Sequence, residues 1–381
     1  MRLLQLLALP ALLRETIAYT KLSEDSLRSI PFPGADFDIH NQDGLLAPIL
    51  IPRVPGTEGS HKVLQHFVDF FSHNLPEWKL EFQNSTSTTP TSGGKQVPFR
   101  NLIATRDPPW VSKDGEVGRL ALVAHYDSKL TPSGFIGATD SAAPCAMLLH
   151  AAKTIDAGLT AKWSKMQAEE MDEFGDVPAH KGIQILLLDG EEAFATWTHE
   201  DSIYGARALA EEWESSFHPA ASTYQTPLHS IDLFVLLDLL GAKDPVVPSY
   251  FKTTHWAYQH LADVEARMHN TGGILKSNRG RRFLPEAFKT NDNRWIGGMI
   301  EDDHLPFLLR GVEVLHIIPT PFPHVWHTMD DDGEHLDIPT CEDWAVITAA
   351  FAAEWMDLEG FLQSPAKSVK RSLGEDEKSE L

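Results

Sequence analysis

Short, continuously apolar runs recur along this 381-residue chain, and helical patterns separate them. The runs cover residues 78–82, 101–105, 120–125, 183–188, 233–237 and 312–318. Short apolar runs bounded by turn signals describe strands covered on both faces. Helix-period patterns cover 61–73, 142–155, 202–214, 255–268 and 343–355. Strands alternating with helices predict an α/β fold whose sheet is largely parallel. The first two runs read as an antiparallel edge pair, with 84–95, containing Thr89-Pro90 and Gly93-Gly94, as their loop. No internal repeat is evident. The expectation is a single domain over residues 36–363, a central mixed, mostly parallel twisted β-sheet flanked by helices. Segments 169–180, 278–282 and 319–323 read as loops over that sheet. The basic cluster Arg279-Gly280-Arg281-Arg282 reads as a solvated loop ahead of a processing site.

Composition narrows the classes. A hydrophobic content of 42% supports a buried core, and no run is long enough for stable membrane insertion. The formal charge of −22 opposes nucleic acid or anionic membranes as partners and mildly favours cationic ligands, such as peptides with a free α-amine. Two cysteines, Cys145 and Cys341, are too few for a disulfide framework or a thiolate metal site. Cys145 lies in an apolar stretch and reads as a core thiol.

Both termini suggest the secretory pathway, either the ER lumen or secretion. Arg2, the apolar stretch 3–13 and Ala18 form a signal-peptide pattern over residues 1–18, with a first amphipathic helix as the alternative. The chain ends Lys378-Ser379-Glu380-Leu381, one substitution from an ER-retrieval tetrapeptide, in a polar, disordered tail over 364–381. Asn84-Ser85-Thr86 is a glycosylation sequon.

Polar residues with chemical potential follow the apolar runs. They include Asp140, the pair Glu191-Glu192, and His327. Two carboxylates and an imidazole from three separate segments suit a catalytic zinc, with the fourth position left open. A second carboxylate beside one ligand supplies a proton carrier. His125 and Asp238 also close apolar runs, so these groups gather beyond the strand C-terminal ends, where parallel sheets bind ligands. His61 and His66 lie five apart, off a common helix face, and read as surface or core.

Several motifs together resemble the glutaminyl cyclase family. They are His125-Tyr126-Asp127-Ser128-Lys129, Gly137-Ala138-Thr139-Asp140-Ser141-Ala142, Asp189-Gly190-Glu191-Glu192-Ala193 and Asp201-Ser202-Ile203-Tyr204-Gly205. Leu237-Asp238-Leu239-Leu240-Gly241, Glu301-Asp302-Asp303-His304 and Pro321-Phe322-Pro323-His324-Val325-Trp326-His327 complete the set. The resemblance implies a zinc aminopeptidase-like fold and conversion of N-terminal glutamine to pyroglutamate with release of ammonia. It implies one zinc per chain held by Asp140, Glu192 and His327, with Glu191 as proton shuttle and Asp238 and Asp302 as an acidic pair near the leaving group. Trp197, Ile300, Phe322 and Trp326 match pocket-lining positions. Glu301 stands where some members carry glutamine. The substrates implied are peptides or proteins with N-terminal glutamine, and a monomer is expected.

Two rivals remain at this level. A zinc aminopeptidase of the same fold would use two zincs, and His125, Asp140, Glu192, Asp238 and His327 are the residue types it needs. A non-enzymatic binding ectodomain would keep the fold without the chemistry, yet every proposed ligand and acid–base position holds a competent residue.

Overall fold

The computed structural model describes residues 19–169, 180–277, 281–295 and 300–362. The expected signal peptide, the polar tail and most of the loops at 169–180 and 278–282 lie outside them.

The described strands are β1 (Lys79–Thr88), β2 (Gln96–Arg106), β3 (Val117–His125), β4 (His180–Leu188), β5 (Ile231–Leu237) and β6 (Val314–Ile317). The helices are α1 (Glu24–Ser29), α2 (Glu58–Asn74), α3 (Ala143–Glu169), α4 (Tyr204–Ser215), α5 (His255–Asn270), α6 (Leu305–Leu308) and α7 (Ile338–Trp355). One six-stranded sheet carries the order β1-β2-β4-β3-β5-β6. β4, β3, β5 and β6 run parallel, while β2 is antiparallel to both β1 and β4. The mixed sheet and its antiparallel edge agree with the sequence.

Central strands are covered on both faces because alternate residues feed different cores. Leu120, Leu122, Ala124, Ile183, Ile185, Leu187, Leu233 and Val235 join the packing of α2, α3, α5 and α7 on one side. Ala121, Val123, Leu186, Leu188, Phe234 and Leu236 meet α4 and α6 on the other. The strand period of two sends neighbours to opposite faces, so a doubly covered strand must be apolar throughout. Residues 338–355 are nearly all buried for a related reason: α7 lies wholly inside the larger core. Its N-terminus is fixed by Asp337, whose carboxylate accepts from the Thr340 N–H.

One expectation needs correction. Residues 84–88 belong to β1, not to a loop; Asn84 pairs with Arg100 and Thr88 with Gln96, leaving 89–95 as the connection. An edge strand needs little apolar character, and β-branched threonines suit its solvent face. The Asn84 sequon therefore sits on an exposed strand.

The chain order supplies the position of the site. β3 leads to β4 on one side, and β5 then pairs with β3 on the other. Such a reversal opens a crevice at the strand C-terminal ends, and His125 ends β3 there.

Candidate active site

The loop after β3 carries Asp140 into the crevice. The buried Arg53 guanidinium ties this loop down, donating to the carbonyls of Tyr126, Ile136, Gly137 and Asp140. Gly137 takes a left-handed φ of 63°, and a Cβ there would stand 2.2 Å from the Asp140 carbonyl oxygen. Only glycine permits that approach. After β4, Gly190 turns the chain at φ 77° against Phe99 and delivers Glu191 and Glu192. Their N–H groups donate to the two oxygens of buried Asp127 at 3.0 and 3.2 Å. His327 arrives from beyond β6 with φ 57°, its ring stacked on Trp326 at 3.9 Å between centroids.

Asp140, Glu192 and His327 meet. Their candidate ligand atoms all lie within 4.8 Å of one another. His327 Nε2 is 3.4 Å from Asp140 Oδ2 and 3.6 Å from Glu192 Oε1. Lys129 binds the other Glu192 oxygen at 3.1 Å, while Oε1 is buried with no hydrogen-bond partner. A buried carboxylate oxygen without a partner is costly, and an oxygen, oxygen, nitrogen donor set suits a divalent metal. The three residues fit a metal site. Burial alone would depress His327, but the Asp140 and Glu192 carboxylates raise its imidazole to about 9. Burial would raise Asp140, yet hydrogen bonds from His125 and His327 hold it below the usual carboxylate range.

Three further carboxyls sit beside this group. Burial, then the charges of Glu192, Asp302 and Asp303, push Glu191 well above its ordinary value against the opposing pull of His125. Burial and the Asp302 charge raise Asp238 to about 6. Asp238 accepts from its Ser141 neighbour and from the Leu239 N–H. Asp302 stays low despite burial, because His316 Nε2 meets its Oδ2 at 2.7 Å.

A cavity of 420 Å³ opens over the group. Asp140, Glu192, His327, Glu191, Asp238, Trp197, Ile300, Glu301, Phe322 and Trp326 all line it. Asp302 is buried behind the wall with His316. Phe322 meets Trp326 edge-on at 4.9 Å, and the Trp197 indole N–H donates to Glu301 at 3.1 Å. A groove of 750 Å³ beside β1 and β2 contains none of these groups. Cys145 is core, its thiol donating to the His125 carbonyl.

Lys129, Leu239 and Ile318 also line the cavity, and sequence reasoning assigned them no role. Lys129 carried a signal, since a lysine four residues past a strand-end histidine among so many acids invites a counter-charge role. His316 carried another, as an imidazole inside a buried apolar strand needs a partner.

The family model for Peptidase family M28 matches residues 101–352. A glutaminyl-peptide cyclotransferase of Boiga dendrophila is 38% identical over 82% of this chain and 80% of its own length. That of Bos taurus is 37% identical over 88% of this chain and 87% of its own length. The crystal structure of Macrostomum lignano glutaminyl cyclase superposes with a TM-score of 0.72 at 29% identity, over 88% of this chain and 94% of the other. With sequence, fold and cavity in agreement, the chain belongs to the glutaminyl-peptide cyclotransferase family, within Peptidase family M28.

Proposed function

We propose that this protein is a zinc-dependent glutaminyl-peptide cyclotransferase, an intramolecular acyltransferase acting on N-terminal glutamine of peptides and proteins. The observation that carries the reading is the single cavity lined by Asp140, Glu192 and His327 together with Glu191 and the aromatic rings of Trp197, Phe322 and Trp326. Asp140, Glu192 and His327 would hold one zinc ion per chain, which as a Lewis acid polarises the side-chain amide carbonyl.

The protein's own groups do the rest. The substrate's α-amine attacks its side-chain amide carbon, a carbon–nitrogen bond closes the ring, and the original carbon–nitrogen bond breaks to release ammonia. One proton must pass from the attacking nitrogen to the leaving one. Glu191, buried in the cavity wall, is the carboxylate placed to carry it, a role worth roughly 10²–10⁴-fold in rate. Asp238, which lines the cavity, receives the leaving amide nitrogen, and Asp302, oriented by His316 behind the wall, completes the acidic pair. The aromatic walls hold the amine against the amide, so the reaction benefits from positioning.

The M28 relationship keeps a metallo-aminopeptidase in view, and His125, Asp140 and Asp238 cluster closely enough for a second metal. A glutaminyl peptide and a leucine anilide separate the two. The cyclotransferase removes one ammonia from the peptide without cleaving it; amino-acid release from either substrate would contradict the reading. The signal-peptide pattern over residues 1–18 and the exposed Asn84 sequon support work in the secretory lumen, and the formal charge of −22 opposes nucleic acid as a partner. No described helix is long and apolar enough to cross a membrane.

A further inference from the structure

We propose that Glu301 makes the mouth of the cavity select glutaminyl peptides whose second residue is lysine or arginine. The inference rests on the cyclotransferase reading and names the substrate class within it.

The cavity has a chemical gradient from floor to mouth. Asp140, Glu191, Glu192 and Asp238 are buried, whereas Glu301 and Trp326 are exposed. A glutamine whose side chain reaches the buried end must send the rest of the peptide outward, past Glu301 and Trp326. Glu301 Oε2 accepts from the Trp197 indole N–H at 3.1 Å, so its carboxylate is held by a neutral donor. Among the described residues no cation is ion-paired with it. Lys129, the lysine lining the cavity, is already engaged with Glu192 at 3.1 Å. The mouth therefore presents a fixed, uncancelled negative charge. Trp326, which lines the same cavity, is 38% exposed and offers apolar indole surface to an aliphatic stem. A lysine or arginine following the glutamine satisfies both features, and a glutamate there meets like charge.

The test uses three peptides identical except for the second residue: Gln-Lys, Gln-Ala and Gln-Glu. The wild-type protein should turn over Gln-Lys with a kcat/KM roughly tenfold above Gln-Glu, since the two differ by two unit charges near one carboxylate. Glu301→Gln keeps an oxygen for the Trp197 N–H and removes only the charge, so the spread should shrink to about threefold or less. Glu301→Lys should invert it. A preference arising from the overall charge of −22 would survive Glu301→Gln, and an unchanged spread in that variant overturns the assignment. If a variant turns over too slowly to read, calorimetric binding of the pyroglutamyl-lysyl and pyroglutamyl-glutamyl products supplies the same ratio. A wild-type protein that cyclises none of the three peptides defeats the cyclotransferase reading. Cyclisation of all three with a spread that Glu301→Gln leaves unchanged defeats only the role of Glu301.

Discussion

Asp140 belongs to two clusters of ligand-type side chains, and the two are built differently. In the outer one, Asp140 faces Glu192 and His327, the histidine is part-exposed, and Glu192 Oε1 is buried without a partner beside an open cavity. In the inner one, Asp140 faces His125 and Asp238, with the His125 ring fully buried and its Nε2 3.0 Å from Asp140 Oδ1. Burial alone would depress the His125 imidazole. The carboxylates of Asp127, Asp140 and Asp238 outweigh it and raise the imidazole well above the usual histidine range. Ser141 and the Leu239 N–H satisfy Asp238 from the other side. The inner imidazole is raised by carboxylates just as that of His327 is, so the two clusters differ in burial and in the unmet Glu192 oxygen. The residue types of a two-metal enzyme are all present, but only the outer cluster combines an unmet oxygen with access from solvent.

Substitutions that separate the clusters should differ in kind. His327→Ala should have the largest effect, abolishing turnover and weakening metal binding by about 100-fold or more, since even outer partners of a ligand commonly cost about 10–100-fold. Elemental analysis after dialysis checks the metal. Glu191→Gln should lower kcat by roughly 10²–10⁴-fold while metal content stays at the wild-type level, because a proton carrier is lost and no ligand is. Loss of metal from that variant would count against the assignment. His125→Ala removes an outer partner of Asp140, so it should weaken metal binding less than His327→Ala does, by about 10–100-fold, and destabilise the fold by about 3–5 kcal/mol, because it strands buried carboxylates without their cation. A denaturant titration measures this.

The smallest effect is a control on the far side of α3. His150 donates through Nε2 to the Pro31 carbonyl, and burial lowers its pKa to about 4. Unfolded, it returns to about 6.5, so the unfolded chain binds the extra proton as acidity rises. Stability should fall as the pH drops from about 6.5 towards 4 and level off below. His150→Gln, which still donates to Pro31, should flatten that part of a Tm–pH curve without touching metal content.

The chain announced its doubly covered strands because burial on both faces forces continuous apolarity, as in Ile183, Leu186 and Leu188 of β4. Its strand-end acids were legible for the same reason: a charged residue closing such a run must have left the core. The β1 extension was not legible, since Ser85, Thr86 and Ser87 are as polar as any loop and only pairing with β2 makes them a strand. Partnerships across the chain were hidden too. That Lys129 braces Glu192, that Asp127 receives the Glu191 and Glu192 N–H groups, and that His316 orients Asp302 depend on which strands become neighbours. The sheet order sets those contacts, and spacing along the chain does not encode them.

Metal stoichiometry tests the central claim most directly. Anomalous scattering at the zinc edge, on crystals of zinc-loaded protein, should show one peak per chain, bounded by Asp140, Glu192 and His327. A second peak of comparable occupancy between His125 and Asp238 would contradict the account.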